Sequence, residues 1–192
     1  MSRAGSEIAI GAGSPAPARV GTAGIWTFLA TDAMGFDGLF IAYAMLRVRA
    51  ETWPDPRARL VLAPVAAMTF ALLTSSLTLT LAVRAGRGRA RAGWLLATLA
   101  LGLAFLVGEL LEYRHLWTAV APTRLGTDLF ASTFYALTGY HGLHVLAGVV
   151  CLSFVSLGRA GQRTLEVVAL YWHFVDLAWM PIFTFLYLLP TR

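Results

Sequence analysis

Asp32 lies inside the first long apolar run of the chain, where a carboxylate could do chemistry. An acid at such a position could exchange a proton or contact a lipid head group. It could equally be a carboxyl group that is hydrogen-bonded to a neighbouring helix. Asp37 follows, roughly 140° further around a helix, so the two acids cannot form a carboxylate pair on one face. We interpret Asp37 as structural.

His141 and His144 are spaced to share one helix face, with Gly139 and Gly142 beside them. Imidazole is a common metal ligand, so a metal or haem site is one interpretation. Neighbours at this spacing cannot bind opposite sides of one haem iron, and such a site would need His141 together with His173. The alternative, which we favour, is structural: imidazoles hydrogen-bond across helices that small residues allow to pack closely.

Glu109 and Glu112 also share a face, and His115 follows them. We interpret the acids as a cluster at the membrane boundary that pairs with arginine. A di-metal carboxylate site would require the Glu-x-x-His spacing on two helices. In this chain we find that spacing once only, at Glu112 and His115, so the pattern gives weak support for a metal site.

His173 and Asp176 lie in the apolar stretch 170–189 (LYWHFVDLAWMPIFTFLYLL) and share a face. Ionisable groups in a spanning helix must face protein, water or a partner. Trp172 and Trp179 fall on nearly the same face, so one side of this helix is polar and aromatic and the other suits lipid. Pro181 removes one main-chain hydrogen bond and predicts a kink.

The composition is that of an integral membrane protein. The chain is 58% hydrophobic and 13% charged, with a mean hydropathy of +0.68. A soluble domain carries roughly twice that charged fraction. The basic residues are all arginines in short loops, which favours anchoring at lipid head groups over binding to nucleic acid. The single cysteine, Cys151, excludes a disulfide and a cysteine-based metal site within one chain.

The apolar runs predict an all-α polytopic membrane protein with five transmembrane helices. We expect a mobile N-terminal tail over residues 1–23 and a transmembrane domain over residues 24–192. The expected helices cover about residues 24–46, 60–83, 92–113, 128–157 and 164–189. The arginine cluster at residues 84–91 favours a cytoplasmic N-terminus and a periplasmic C-terminus, by a small margin.

Four stretches, in order and in register, resemble the subunit III family of haem-copper respiratory oxidases. They are GIWTFLATDAMGFDGLFIAY, GELLEY, STFYALTGYHGLHVLAG and YWHFVDLAW. The resemblance covers about residues 24–189 and fits the short five-helix bacterial form of the family. Two departures stand out: Asp32 is one methylene shorter than the Glu of many members, and Glu109 stands where Gln is usual.

The resemblance implies an accessory subunit of cytochrome c oxidase that has no catalytic centre and binds no haem, copper or other metal itself. Its helices would form two bundles, of two and three, around a V-shaped cleft that holds structural phospholipids. It would pack on subunit I, which with other partner subunits carries the haem and copper, and would sustain proton uptake and turnover stability there. Asp32 would be the carboxylate near the lipid cleft. The other polar motif positions, structural or in contact with lipid heads, would be Glu109, Glu112, His141, His144, Trp172, His173, Asp176 and Trp179.

Other functions stay open at this point. The same family includes subunits of quinol oxidases and relatives associated with nitric oxide reductases, so the electron donor is not determined. A different class is an independent small transporter or proton channel, with Asp32 as the coupling acid. Nothing in the sequence resembles a nucleophile elbow, a phosphate loop or a dinucleotide fingerprint.

Overall fold

The computed structural model describes residues 17–119 and 123–189, and this part of the chain is helical, without strands. Its helices are α1 (Pro17–Arg49), α2 (Pro56–Arg59), α3 (Leu62–Arg84), α4 (Arg89–Thr118), α5 (Leu129–Phe154) and α6 (Gln162–Phe183). π-helical turns continue α5 over Val155–Arg159 and α6 over Thr184–Leu188.

Five helices, all except α2, are long and apolar enough to cross a membrane. Even α3, with 23 residues, is long enough, because a helix rises 1.5 Å per residue and the hydrocarbon layer is about 30 Å thick. A helix also pairs its own backbone groups, which lipid cannot do. The predicted all-α fold with five transmembrane helices is therefore confirmed.

The largest differences from the predicted helix bounds are near the start of α1 and at the end of α4. α1 is already helical at Pro17, the first residue that the structure describes, so residues 17–23 are helical where we expected a tail. The expected tail over residues 1–16 lies outside the described residues. α4 continues to Thr118, since no Gly or Pro interrupts it after Tyr113.

Tight turns at one end of the molecule join α3 to α4 and α5 to α6. Gly86 and Gly88 in the first turn have φ angles of 65° and 137°, and Gly158 in the second has a φ of 73°. These left-handed conformations favour glycine. The turns bring the C-terminal ends of α3 and α5 beside the N-terminal ends of α4 and α6.

The helices α3, α4, α5 and α6 pack in a ring, each against the next, and α1 packs on the outside of α5 and α6. The most extensive contact joins α3 and α4. This packing does not confirm a division into two and three helices around a cleft.

Aromatic side chains fill the space between these four helices, and Trp172 lies at the centre of that space. Its indole is buried against two glycines of facing helices, Gly102 of α4 and Gly148 of α5. Pro181 lies inside α6, and the π-helical turn begins at Thr184, one turn later. The kink at Pro181 stays a prediction.

Candidate functional site within the membrane

Asp32 of α1 faces α5 and links these two helices. Its Oδ1 lies 3.0 Å from Nε2 of His144 and accepts a hydrogen bond of 3.2 Å from the Tyr140 hydroxyl. The side chains of Asp32 and His144 are 9% and 16% exposed. The pair is therefore largely removed from lipid, as an intramembrane acid requires.

The hydrogen bonds of His144 determine how many protons the pair holds. Its Nδ1 lies 2.7 Å from the Tyr140 carbonyl oxygen, which can only accept, so Nδ1 carries a hydrogen. Contact between Nε2 and the Asp32 oxygen then requires one more proton between them. That proton lies either on the imidazole, which gives an ion pair, or on the carboxyl group, which gives a neutral pair. Asp32 and His144 together therefore share one transferable proton.

Aromatic residues surround the pair of Asp32 and His144, and one of them connects the pair to a third helix, α6. The Tyr171 hydroxyl of α6 donates to the His144 carbonyl oxygen at 3.0 Å, and the Phe36 ring centroid lies 5.3 Å from the imidazole. Oδ2 of Asp32 is buried and has no hydrogen-bond partner among the described residues. The carboxylate thus has one engaged oxygen and one free oxygen.

A second histidine and acid pair connects α3 and α6. Ser76 donates to Oδ2 of Asp176 at 2.6 Å, and its oxygen lies 3.2 Å from Nδ1 of His173. Because Ser76 uses its hydrogen on Asp176, it accepts from Nδ1, and the order of donors runs from His173 through Ser76 to Asp176. Thr80 lies 3.4 Å from the other ring nitrogen. The serine between the two residues is the link that sequence spacing did not reveal.

Both tryptophans of α6 direct their N–H groups to hydroxyls of α3. Trp172 donates to Ser75 and Trp179 donates to Thr69, each at 2.9 Å. Buried indole N–H groups need such partners. The contacts place the two rings on the face of α6 that meets α3.

Glu109 of α4 is buried against α5. It accepts from the Tyr113 hydroxyl at 2.9 Å, and Tyr113 in turn lies 2.7 Å from the Thr138 hydroxyl. A Cβ at Gly142 would lie 2.5 Å from Oε2 of Glu109, so glycine provides the space for the carboxyl group. The interpretation of Glu109 as an arginine-paired residue is wrong, because the side chain points into the bundle.

Glu112 faces the C-terminal end of α6, where it accepts from the Tyr187 hydroxyl at 2.9 Å. Its second oxygen is buried without a partner among the described residues. A largely apolar cavity of about 280 Å³ lies beside it, also lined by Arg59 and the exposed His115. No ion pair within the described ranges joins Glu112 to an arginine, so the predicted pairing fails here too.

His141 is fully buried, and it faces the core while His144 faces α1. Its ring lies 4.9 Å from Trp179 and 5.5 Å from Phe105, centroid to centroid. Neither ring nitrogen has a hydrogen-bond partner among the residues the structure describes. The expected hydrogen bonds across helices are therefore made by His144 and His173, and His141 packs among aromatic rings.

Asp37 points away from the bundle. It is exposed near the middle of the span Ala23–Arg49 and lines an outward groove together with Phe40 and Pro181. No hydrogen bond or ion pair joins it to another residue in the described ranges. The structure gives Asp37 no role in holding this chain together.

The polar residues that we identified from the sequence do not form one site. The structure distributes them over four helix contacts, between α1 and α5, α3 and α6, α4 and α5, and α4 and the end of α6. Their partners include hydroxyls that the sequence did not single out. These further residues are Thr69, Ser75, Ser76, Thr80, Tyr113, Thr138, Tyr140 and Tyr187. Only their occurrence within apolar runs beside the acids and histidines could have indicated them.

The described residues include no group of three or more His, Cys, Asp or Glu side chains that could hold a metal ion. The buried acids are instead bound by a hydroxyl or an imidazole. Such contacts can hold protons and fix helices against one another, since a buried polar group must be paired.

Comparisons with known proteins identify the family of the chain. The family model for cytochrome c oxidase subunit III matches residues 11–190. The chain is 37% identical to cytochrome c oxidase subunit 3 of Synechocystis, over 86% of this chain and 74% of the relative. It is 36% identical to the probable cytochrome c oxidase subunit 3 of Mycobacterium tuberculosis, over 85% of each chain. It is 34% identical to cytochrome bo(3) ubiquinol oxidase subunit 3 of Pseudomonas putida, over 86% of this chain and 84% of the relative.

The family match spans all five transmembrane helices and every motif that suggested the family. The three relatives are each matched over most of their own length as well, so the likeness extends over the whole bundle rather than over one helix. The chain belongs to the cytochrome c oxidase subunit III family of the haem-copper oxidases.

Proposed function

We propose that this chain is the non-redox subunit III of a bacterial cytochrome c oxidase and packs on subunit I. The observation that carries the proposal is the family match over residues 11–190, together with relatives that are named cytochrome c oxidase subunit 3. The family carries no redox cofactor, so haem and copper belong to partner subunits. The chain contributes to a respiratory enzyme without a catalytic centre of its own.

The outward position of Asp37 supports packing against a partner. An ionisable side chain at mid-membrane depth is costly unless it meets protein or water. Asp37 is exposed in the isolated chain and unpaired among the described residues. A polar donor on a membrane-spanning helix of subunit I would satisfy it, which makes the outer face of α1 a contact surface in this proposal.

A role of Asp32 in proton uptake and turnover stability is also part of the proposal. Its support is the single proton that Asp32 shares with His144. Its Oδ2 is buried without a partner among the described residues, so its lone pairs are available to a small donor such as water. Phospholipid held against the helices would complete the packing around α1.

We place the protein in the bacterial cytoplasmic membrane with its N-terminus in the cytoplasm. With five spans, the arginine-rich turn between α3 and α4 lies on the same side as the start of α1. Arginines in short loops favour the cytoplasmic side.

A quinol oxidase subunit is the second candidate. It is favoured by the similarity to cytochrome bo(3) ubiquinol oxidase subunit 3 of Pseudomonas putida, at a comparable identity and coverage. The two candidates predict the same fold and the same contact with subunit I, and differ in the electron donor of the complex.

Purification of the tagged chain in mild detergent tests the proposal. We expect a large polytopic subunit to copurify, with an a-type haem signal in the reduced-minus-oxidised spectrum and oxygen consumption driven by reduced cytochrome c. Oxygen consumption with quinol but not with reduced cytochrome c would favour the quinol oxidase subunit instead. Recovery of the chain alone, or with a b- and c-type spectrum and no oxidase subunits, would contradict it.

Two variants test the contact surface on α1. Asp37→Leu should lower the yield of copurified subunit I, because the partner's donor loses its acceptor. Met34→Leu, at an exposed position one turn away, is the matched control and should retain wild-type yield. Equal recovery of subunit I from both variants would exclude Asp37 from the contact.

A further inference from the structure

A polar cavity of about 390 Å³ lies at the end of the bundle where α3 turns into α4 and α5 ends. It is lined by Arg87 and Gly88 of the α3–α4 turn, Arg91 of the first turn of α4, and Ser156. Helix ends of the transmembrane bundle lie at the level of lipid head groups. The cavity therefore opens where phosphate groups are concentrated.

Arg91 is the unusual residue of this cavity, because the residue is only 9% exposed. Its Nη1 donates to the Gln162 side-chain oxygen at 3.0 Å, and no carboxylate within the described ranges lies at ion-pair distance. A guanidinium has five N–H donors, of which an amide oxygen satisfies one. A buried cation without a counter-ion is strongly unfavourable, so the geometry calls for an anion.

Gln162 fixes Arg91 in this position. The amide nitrogen of Gln162 donates to the Val83 carbonyl oxygen at 3.2 Å and also lies 3.3 Å from Glu166. The amide oxygen is thereby directed to Arg91. The ends of α3, α4 and α6 are connected through these bonds, so the guanidinium is held in place before any ligand binds.

The first turn of α4 adds further donors to the same cavity. The residue before the helix is Gly88, which has no side chain to cap the free N–H groups. Unpaired N–H groups at a helix start favour an anion. Arg87 is exposed at the mouth of the cavity and adds a second positive charge.

From this arrangement we infer that the cavity binds a phosphate group, supplied by an anionic lipid head group or by free phosphate. Arg91 donates to the phosphate oxygens from the buried side and Arg87 from the mouth. The N–H groups of α4 approach a third oxygen. Planar guanidinium groups suit phosphate, because two N–H groups can bond two oxygens.

This site rests on the proposed phospholipid binding for its ligand class, but it does not depend on the oxidase partner. The test therefore measures binding to the delipidated complex, or to the full chain, rather than oxidase turnover. Total bound phospholipid is measured in parallel. Loss of phosphatidylglycerol binding with other lipid retained locates the effect at this site.

The experiment titrates labelled phosphatidylglycerol and phosphatidylcholine into the protein, with and without inorganic phosphate as competitor. We expect tighter binding of phosphatidylglycerol, and Arg91→Gln should weaken it by about tenfold or more, because a charge-assisted hydrogen bond is lost. Arg87→Gln should weaken binding less. Arg89→Gln is the matched control, since Arg89 belongs to the same turn but does not line the cavity.

Ser156→Leu is a second variant that keeps both arginines and fills the cavity from the end of α5, in case Arg91→Gln folds poorly. It should also weaken phosphatidylglycerol binding. If inorganic phosphate displaces phosphatidylglycerol, the cavity accepts free phosphate as its ligand. If phosphatidylglycerol binds equally well with inorganic phosphate present, the ligand is the lipid head group. Unchanged affinity in Arg87→Gln and Ser156→Leu, or an equal loss in Arg89→Gln, would overturn the site.

Discussion

The 3.0 Å contact between Asp32 and His144 joins α1 to the ring formed by α3, α4, α5 and α6. α1 is the most exposed of the five spans, so few apolar contacts hold it. Breaking it would leave Nε2 of His144 without a partner and Asp32 with only the Tyr140 hydroxyl, so the contact is important for the position of α1. The same contact holds one transferable proton, and the two roles can be separated by substitution.

Asp32→Asn should preserve the contact and remove the proton. An amide N–H can donate to Nε2 of a neutral His144, whose Nδ1 stays bonded to the Tyr140 carbonyl. Asp32→Ala leaves both partners unpaired and should lower the free energy of unfolding by about 1–3 kcal/mol. Thermal unfolding in detergent measures the difference.

The active lifetime of the assembled complex during turnover then separates the two roles of Asp32, which are fixing α1 and holding a proton. If the proton matters, Asp32→Asn and Asp32→Ala should shorten the active lifetime of the enzyme equally. Thr31→Ala is the control, because Thr31 is exposed and bonds only to its own helix. An Asn variant with wild-type lifetime would limit Asp32 to fixing α1.

The positions of Asp32 and His144 show what the sequence could predict. Long apolar runs determine the number of spans, because crossing hydrocarbon requires about twenty apolar residues. Helical spacing places a residue on a face of its own helix, but it does not determine which helix that face meets. The partners of Asp32 lie more than a hundred positions away, and their contact depends on tertiary packing.

The same limit explains the error at Glu109 and Glu112. Their closeness to Arg114 and to the predicted end of the helix favoured a boundary cluster. In the structure α4 continues to Thr118, so the acids lie further from its end than expected. Their partners are the tyrosines Tyr113 and Tyr187, of which only Tyr113 is near in sequence.

Trp172 gives a prediction about packing. A Cβ on Gly148 would lie 2.7 Å from the indole, and a Cβ on Gly102 would lie 2.6 Å from it. Gly148→Ala and Gly102→Ala should each destabilise the protein by about 1–3 kcal/mol, because a filled core cannot accept another methyl group. Thermal unfolding of each variant measures the loss.

Gly93→Ala is the matched control for these variants. Gly93 lies in α4, and a Cβ added there would meet nothing within 4 Å. Alanine is also the better helix former by about 1 kcal/mol, so we expect unchanged or slightly higher stability. Equal stability of all three variants would mean that Trp172 moves freely and does not fix the spacing of α4 and α5.

The relay from His173 through Ser76 to Asp176 predicts strong coupling between α3 and α6. Asp176→Ala and Ser76→Ala should each destabilise by about 1–3 kcal/mol, and the double variant by much less than the sum, because both remove the same bond. Thr74→Ala removes a hydroxyl of α3 that bonds only to Phe70 and serves as control. Additive losses in the double-mutant cycle would show that Ser76 and Asp176 act independently.

Asp128 predicts how stability depends on pH outside the membrane. It precedes α5, accepts the Ala131 N–H at 2.7 Å and pairs with Arg59 of α2. Burial alone would raise the pKa of Asp128, but the Ala131 N–H and the Arg59 guanidinium outweigh it and lower that pKa. As pH falls, the unfolded chain binds the proton first, so the stabilisation is complete above the unfolded pKa and is lost through the folded pKa.

Asp128→Ala should therefore cost about 0.5–2 kcal/mol at neutral pH through the lost helix cap, and the difference from wild type should shrink as the pH is lowered. Asp128→Asn keeps a capping oxygen but cannot titrate, so it should be more stable than Asp128→Ala at neutral pH and should lack the acid dependence of this group. Thermal unfolding of the three proteins across the acidic range measures both effects. A constant difference between wild type and Asp128→Ala at every pH would contradict the lowered pKa, because a carboxyl group that titrates alike in both states contributes no pH dependence.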